Sequence, residues 1–463
     1  MKTVDVGAVL DEGRWTGYQK LLIAGTALTI ILDGVDNQLL PNAVPTLIRE
    51  WGRPRDDFTA ALALGPFGMM IGGLLGGVLG DRLGRRTALL CSVLTFAVLT
   101  VAIAFVDSVG MLGALRFLAG VGLGGAMPNA ATLASEYVPR RQRPFAVTLT
   151  IVCIPLGGAI AGELAARVIP TYGWRMLFLV GGIIPIVLAT VLWKVLPESP
   201  RYLARRRERW PELTKTMRRA GHLIPDDVEY VEAAPAGAPV KSASVASLFN
   251  PAFARDTIAL CASFFFCLMV NYVVILMLPL VLTANEIGFT QPGASRALAM
   301  SNYGGVVGAI LGALVIQRLG SRVTMLSMSA GAIVCAMVLT RTSLDPQNTF
   351  FLMTMFLVTG GLLNGVQTTM YALAAHVYPT DIRSTGVGTA VAVGRVGNVL
   401  AAYVGRSALN SGGPTGYFSS WAALMAVVFL SLAMVRRHVP RSSGPPVAEG
   451  PTRAGVGVQP ASR

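Results

Sequence analysis

Twelve runs of mainly apolar residues, each about 20 residues long, constrain the fold of this chain more than any other feature. A helix rises about 1.5 Å per residue, so such a run crosses the ~30 Å hydrocarbon layer of a membrane. Within lipid, a helix satisfies its own backbone hydrogen bonds. The sequence therefore predicts an all-α membrane protein with twelve transmembrane helices. The predicted spans cover residues 18–40, 58–80, 86–106, 110–135, 145–167, 174–196, 256–283, 296–316, 323–342, 349–374, 384–407 and 415–436.

The composition agrees with a membrane protein. Of the 463 residues, 53% are hydrophobic and only 13% are charged, about half the charged share of a typical soluble domain. This excludes an ordinary soluble enzyme. The formal net charge of +14 would suit a nucleic-acid partner, but the basic residues cluster in short connectors between the spans. Cytoplasmic connectors of membrane proteins carry such an excess, so we expect the lipid bilayer and no nucleic acid as partner.

The basic clusters also predict the orientation. An even number of spans places both chain termini on one side of the membrane. The clusters at 82–86, 140–143 and 201–219 fall on that same side, which the positive-inside rule makes cytoplasmic. We therefore expect a multi-pass protein with both termini in the cytoplasm.

An internal repeat divides the chain into two pseudo-symmetric halves of six helices. Residues 72–90 align without gaps to residues 308–326 with eight identities, and each copy lies between the second and third spans of its half. Parallel six-helix repeats place a substrate site at their interface, near the membrane midplane. The predicted units are an N-terminal half at 1–196, a cytoplasmic linker at 197–252, a C-terminal half at 253–437 and a disordered cytoplasmic tail at 438–463.

Several motifs resemble a known family. The loop "GDRLGRRT" (80–87) resembles the signature of the major facilitator superfamily, and "PESPRYL" (197–203) is similar to a motif of its sugar and organic-ion porters. Three further segments together resemble the aromatic acid:proton symporter family. They are "LDGVDNQLLPNAVPTLIREWG" (32–52), "RFLAGVGLGGAMPNAATLASEY" (116–137) and "YPTDIRSTGVGTAVAVGRVGN" (378–398).

The resemblance implies the major facilitator fold and proton-coupled import of a benzoate- or hydroxybenzoate-type carboxylate by alternating access. It implies a monomer in the bacterial inner membrane that uses the proton gradient and no cofactor. Alternatives are a proton-coupled porter of another organic acid or a sugar-like solute, or a drug:proton antiporter. A membrane-embedded receptor or enzyme would need a nucleophile–base pair, metal ligands or a sizeable extramembrane domain, none of which the sequence indicates.

Two aspartates in the first span, Asp33 and Asp36, are candidates for proton coupling. At about 1.5 Å per residue they lie roughly 22 and 27 Å from the start of the span, and Arg116 of the fourth span reaches a similar depth. At a spacing of three residues, one arginine could serve either carboxyl. Protonation would release the arginine and let the halves move. The alternative is a structural ion pair. The resemblance favours Asp36 as the proton carrier, whereas depth slightly favours Asp33.

Arg395 is the candidate anchor for an anionic substrate. It lies about 16 Å into the eleventh span, and a guanidinium there can bind a carboxylate through two hydrogen bonds. When the two halves are overlaid by the repeat, Arg395 falls on Pro155, so the charge is not part of the shared scaffold. A guanidinium at this depth also argues against a drug:proton antiporter. The alternative is an arginine that reaches a lipid headgroup.

Other polar residues deep in the spans are weaker candidates for substrate binding. They could hydrogen-bond a hydroxyl group or stack on a ring, or they could only join neighbouring helices. These candidates are Asn271, Tyr272, Asn302, Tyr303, Asn364, Gln367 and Tyr371.

The charged residues of the "GDRLGRRT" loop are candidates for a cytoplasmic gate. The resemblance implies that Asp81 contacts the start of the eleventh span near Ser384 and basic residues beyond the fourth span, here Arg143. The alternative is that the arginines only set topology. The full set of predicted gating residues is Asp81, Arg82, Arg85, Arg86, Glu136 and Arg143.

The sequence predicts no metal, catalytic or nucleotide site. The five cysteines lie singly in apolar runs, and the three histidines are far apart. The glycine-rich "GVGLGG" (120–125) lies inside a span and follows no strand, so it indicates close helix packing instead of a dinucleotide loop. No Walker A pattern is present, which argues against ATP as the energy source.

Overall fold

Among the residues that the structure describes, ten helices are long and apolar enough to cross a membrane. The structure is a computed structural model that describes residues 2–12, 15–221, 228–231, 245–284, 287–379 and 382–441. In chain order the α-helices are α1 (Val6–Glu12), α2 (Gly17–Trp51), α3 (Phe58–Leu83), α4 (Arg85–Ile103), α5 (Val109–Tyr137), α6 (Arg143–Val195), α7 (Pro200–Ala204), α8 (Trp210–Arg219), α9 (Ala254–Leu282), α10 (Gln291–Leu319), α11 (Ser321–Arg341), α12 (Thr349–Val377) and α13 (Arg383–Met434).

Two of these helices each contain two membrane spans, which meet at a kink where the backbone is not helical. In α6 the break is at Gly173, whose φ of 80° lies in the left-handed region that favours glycine. In α13 it is at Gly412 and Gly413, with a φ of 56° at the second glycine. Counting both spans of α6 and α13, the described chain has twelve spans. The predicted twelve-helix membrane fold is therefore confirmed.

Corresponding helices of the two halves pack in the same way. In the N-terminal half α3 packs along α5 and α2 along α6, while in the C-terminal half α10 packs along α12 and α9 along α13. The α10–α12 contact is close enough that a Cβ at Gly304 would clash with the carbonyl oxygen of Leu357. Small residues at such positions let membrane helices approach closely. This repeated packing agrees with the internal sequence repeat.

Helix α2 is longer than the sequence predicted. Thr16 caps its N-terminus by accepting a hydrogen bond from a backbone N–H of the first turn, and Gly52, with a φ of 60°, ends it. The predicted end at residue 40 was too early because the helix continues through Pro41. Asp33 and Asp36 therefore lie near the middle of the 35 residues of α2, instead of towards its outer end.

The linker prediction missed a small layer of structure outside the spans. Strand β1 (Lys2–Asp5) pairs in parallel with β2 (Val228–Val231), which follows α7 and α8 in the linker. Apolar side chains of α1, α7 and α8 pack beneath this pair, among them Leu10, Leu203 and Leu213. The N-terminus and the first part of the linker thus form one unit.

The beginning of the predicted tail is attached to the C-terminal half. The backbone N–H of Val439 donates to Ser321 Oγ at 2.8 Å, and the Ser321 N–H donates to the Val439 carbonyl at 3.0 Å. The remainder of the tail, 442–463, lies outside the described residues, as do residues 222–227 and 232–244 of the linker.

The two halves are joined on one side of the molecule. We call the side with the α3–α4 turn and α7 the linker side, and the opposite side, with the turn after α2, the far side. On the far side Arg406 donates to Asp56 at 2.7 Å, and Gln291 donates to the carbonyl oxygen of Asn42 at 3.3 Å. Within the described part of the chain, hydrogen bonds between the halves lie on the far side or at the middle of the spans, and none lies on the linker side.

Candidate functional site

A cavity of about 280 Å³ lies between the two halves, near the middle of the spans. Helices α2, α3, α5 and α6 of the N-terminal half and α9, α10, α12 and α13 of the C-terminal half line it. Its apolar wall includes Met69, Met127, Leu268 and Leu363. Its polar lining consists of Asp33, Asn37, Gln38, Asn271, Tyr272, Ser301, Asn302, Asn364, Gln367, Tyr371, Arg395 and Asn398.

Helical periodicity explains how the polar residues reach the cavity. Asp33 and Asn37 are four residues apart on α2, so they lie on the same face, one turn above the other. Arg395 and Asn398 are three residues apart on α13 and share a face in the same way. Both helices thus present polar side chains to the cavity, as α9, α10 and α12 also do.

Asp36 and Arg116 form an ion pair beside the cavity. Arg116 Nη1 lies 3.0 Å from Asp36 Oδ2, and the two side chains are only 4% and 0% exposed. Thr100 of α4 also donates to the Asp36 carboxylate. Three helices, α2, α4 and α5, are therefore joined by one buried polar cluster. Of the two pairings that the sequence allowed for Arg116, the structure has the one with Asp36.

The Asp33 carboxyl lines the cavity and is only 5% exposed. Within the described ranges its side chain has no hydrogen bond and no ion pair. It interacts electrostatically with Asp36 and, with opposite sign, with Arg395. Burial without a bonded partner favours the neutral form of a carboxyl group, whereas a nearby guanidinium favours the ionised form. Asp33 is the one acidic side chain among the described residues that line the cavity.

Arg395 faces Asp33 from the C-terminal half. Its Nη1 donates to the carbonyl oxygen of Met69 on α3 at 2.8 Å, which ties the two halves together. Gly73, one turn further along α3, leaves room for the guanidinium, since a Cβ there would lie 2.5 Å from Nη1. A guanidinium has five N–H donors. The bond to Met69 uses one of them and leaves donors for an anion in the cavity.

Amide side chains close the cavity between the halves. Gln38 and Asn302 exchange two hydrogen bonds, at 3.0 and 2.9 Å, and the neighbouring Asn37 donates to the hydroxyl of Tyr272 at 3.2 Å. These hydrogen bonds join α2 to α9 and α10.

Seven of the eight residues predicted for substrate binding line this cavity, and Tyr303 does not. Its neighbour Asn302 faces the cavity, and consecutive residues of a helix point in different directions, about 100° apart. Sequence reasoning missed Asn37, Gln38 and Asn398. The signal was present, because all three lie within the motif segments that carry the family resemblance.

The described contacts of the predicted gating residues lie within the N-terminal half and the start of the linker. Asp81, whose side chain is 66% exposed, pairs with Arg85 four residues away, and Arg143 pairs with Asp11 of α1. Glu136 accepts a hydrogen bond from Ser199. The predicted contact of Asp81 with Arg143 and the start of α13 is therefore absent from the described residues. The reason is geometric, because the halves meet on the far side and are not joined on the linker side.

Sequence reasoning also missed Glu198 of the "PESPRYL" motif. Its carboxylate is fully buried and accepts backbone N–H bonds at the start of α4, from Arg86 at 2.9 Å and Thr87 at 3.4 Å. A carboxylate at a helix N-terminus satisfies free N–H groups and interacts well with the helix dipole. Arg86 itself donates to the carbonyl of Trp193, and the carbonyl of Arg82 accepts a bond from Tyr202 at 3.2 Å. The gate loop is thus fixed to the start of the linker.

Comparisons with known proteins agree with this architecture. Residues 26–402 and 260–460 match the family model described as the Major Facilitator Superfamily. A gallate transporter of Pseudomonas putida is 32% identical, covering 88% of this chain and 90% of the relative. A 4-hydroxybenzoate transporter of the same organism is 32% identical over 89% and 91% of the two chains, and a benzoate transport protein of Acinetobacter baylyi is 31% identical over 86% and 85%.

Solved structures show the same fold. A D-xylose-proton symporter superposes with a TM-score of 0.67 at 16% identity, over 92% of this chain and 99% of that one. A bacterial homologue of the lysosomal transporter Spinster, inward-facing and unoccupied, also gives a TM-score of 0.67 at 16% identity, over 91% and 97%. The chain therefore belongs to the Major Facilitator Superfamily of multi-pass membrane transporters, which are not enzymes.

Proposed function

We propose that this protein imports a small aromatic carboxylate together with protons, by alternating access. The observation that carries the proposal is a cavity between the halves with one guanidinium, Arg395, and one carboxyl without a bonded partner, Asp33. The relatives named as gallate, 4-hydroxybenzoate and benzoate transporters support an aromatic acid as substrate. The similarity to a D-xylose-proton symporter supports the fold that such coupling uses.

Arg395 binds the carboxylate of the substrate in this proposal. A guanidinium in a mostly apolar cavity binds a carboxylate through charge-assisted hydrogen bonds. The side chains of Met69, Met127 and Leu268 then contact the ring. The volume of about 280 Å³ suits a single small aromatic acid and is too small for most drug-like molecules. A cationic drug would also be repelled by Arg395, so this proposal does not extend to a drug:proton antiporter.

Asp33 carries the proton, and the Asp36–Arg116 pair holds the helices around it. Asp36 already has the Arg116 guanidinium as its counter-ion at 3.0 Å and a hydrogen bond from Thr100. Asp33 has neither of these contacts. We therefore assign proton coupling to Asp33, with Asp36 and Arg116 as the residues that position α2.

Competition for one cation couples the proton to the substrate. When Asp33 is ionised, it attracts Arg395 and repels a second carboxylate in the cavity. When Asp33 is protonated, Arg395 is free to bind the substrate anion. The loaded state thus contains one proton and one carboxylate, and substrate release favours proton loss from Asp33.

The orientation in the membrane is part of the proposal. Basic clusters on the linker side support a cytoplasmic location for that side and for both termini, in a bacterial inner membrane. The contacts between the halves on the far side then correspond to a state that is closed to the outside. We propose that the protein works as a monomer and that the proton gradient alone supplies the energy.

Uptake into proteoliposomes tests the proposal. Wild-type protein should accumulate labelled 4-hydroxybenzoate when the outside is acidic, and Asp33→Asn should lose accumulation while it retains exchange of labelled for unlabelled acid. Arg395→Gln should lose both activities, and Tyr303→Phe, outside the cavity lining, should behave as wild type. Full gradient-driven accumulation by Asp33→Asn would refute the proton assignment, and uptake of no aromatic acid would refute the proposed function.

A further inference from the structure

Three asparagines in the C-terminal wall of the cavity have amide oxygens without a hydrogen-bond partner among the described residues. Asn271 and Asn364 each donate Nδ2 to the carbonyl four residues earlier in their own helix, at 2.9 and 3.0 Å. This bond fixes the amide, and the Oδ1 atom on its other side accepts no bond. Asn398 is 91% buried, and its Oδ1 is also without a partner. The wall therefore presents three amide oxygens for which no hydrogen-bond donor is described.

Asn302 shows what a satisfied amide in this wall looks like. It also donates Nδ2 to the carbonyl four residues earlier, at 2.8 Å, but its Oδ1 accepts a hydrogen bond from Gln38. The difference matters because buried polar groups in proteins normally have a partner, and leaving one unsatisfied is costly. The Asn398 oxygen is a buried acceptor of this kind. Asn271 and Asn364 line the same cavity, so one ligand there can reach all three side chains.

The arrangement of charge restricts what this ligand can be. Arg395 lies three residues before Asn398 on α13, about 4.5 Å along the helix axis, which a benzene ring spans. A ring whose carboxylate binds Arg395 thus reaches the level of Asn398, and Asn271 and Asn364 line the same cavity. A cationic donor such as an ammonium group would be repelled by Arg395. Neutral hydroxyl groups on the ring satisfy both requirements.

We propose that the preferred substrate is an aromatic acid with at least two ring hydroxyl groups, which donate to the amide oxygens of Asn271, Asn364 and Asn398. This inference rests on the proposed function, because it takes Arg395 as the carboxylate anchor. It adds that the C-terminal wall selects substrates by the number of hydrogen-bond donors on the ring. The amide of Asn398 can rotate to present its oxygen without breaking any described hydrogen bond.

A matched panel of acids tests the selection. Binding of benzoate, 4-fluorobenzoate, 4-hydroxybenzoate, 3,4-difluorobenzoate and 3,4-dihydroxybenzoate to the purified full-length protein is measured by titration calorimetry. Fluorine resembles a hydroxyl group in size but cannot donate. We expect the dihydroxy acid to bind at least about tenfold more tightly than the difluoro acid, and the monohydroxy acid to lie between them.

Variants separate recognition of the hydroxyl groups from loss of the fold. Asn398→Leu and Asn364→Leu should each lower the ratio of dihydroxy to difluoro affinity about fivefold while affinity for the difluoro acid changes little. Arg395→Gln should weaken every acid and leave this ratio unchanged, and Tyr303→Phe should change nothing. Equal affinities for hydroxy and fluoro acids in the wild type would overturn the inference alone. If no acid in the panel binds, the proposed function fails instead.

Discussion

Replacing Asp36 and replacing Asp33 should have different effects on stability, although the two carboxyls lie three residues apart on α2. The Asp36 carboxylate is fully buried, 3.0 Å from Arg116, and accepts a bond from Thr100. Asp36→Asn leaves the Arg116 guanidinium buried without its counter-ion. Breaking a buried ion pair in this way typically costs about 3–5 kcal/mol, since the remaining charge is uncompensated.

Asp33→Asn removes a carboxyl that has no bonded partner. The Asp33 side chain is 5% exposed and has no hydrogen bond or ion pair within the described ranges. A neutral amide of the same size lowers the cost of burial and reduces repulsion with Asp36. We therefore expect the free energy of unfolding to stay within about 0.5 kcal/mol of the wild type, or to increase.

Thermal unfolding of the purified protein in detergent near neutral pH measures this contrast. Asp36→Asn should lower the Tm by roughly 6–12 °C, which corresponds to about 3 kcal/mol for a unit of some 200 residues. The double variant Asp36→Asn, Arg116→Gln removes both charges and should recover most of the loss. Equal losses for Asp33→Asn and Asp36→Asn, or no recovery in the double variant, would refute the reasoning.

Variants at three further contacts give additional predictions. Arg406→Gln should weaken far-side closure and lower uptake. Because the Arg406–Asp56 pair is partly exposed, uptake should fall by no more than about fivefold. The exchanged pair Asp56→Arg, Arg406→Asp should restore uptake. Gly73→Ala should displace Arg395 from Met69 and weaken substrate affinity about tenfold or more, measured by calorimetry. Glu198→Gln should lower the Tm by a few degrees while substrate affinity stays unchanged, since its carboxylate caps α4 far from the cavity.

The membrane fold could be predicted because lipid imposes a strong rule on the sequence. Each span needs a long apolar run, so the runs report the helices directly. Most of the cavity lining could also be predicted, because polar side chains such as Asn271 and Asn364 are rare at that depth and face the interior of the bundle. The short strands β1 and β2 could not, because four-residue strands at distant places in the chain leave little periodic signal.

Contacts between distant helices were the part that the sequence could not provide. Gln38 and Asn302 are 264 residues apart, and nothing in either segment indicates the other as its partner. The contact expected for Asp81 is absent from the described residues for a related reason, and the gate stays a prediction. Its partners lie on the other half or beyond α5, so the contact depends on how the two halves are arranged, and the described arrangement joins them on the far side.

The two aspartates of α2 show how a small rotation separates two roles. Three residues advance a helix by about 300°, which leaves their side chains about 60° apart around the axis. The two aspartates therefore lie at a similar depth but in different surroundings. Asp36 contacts Thr100 of α4 and Arg116 of α5. Asp33 lines the cavity. Because Asp36 is already paired, the charge of Asp33 is balanced mainly by Arg395 across the cavity. In the proposed function, a substrate carboxylate competes for that same guanidinium, and the position of one helix face then links proton binding to anion binding.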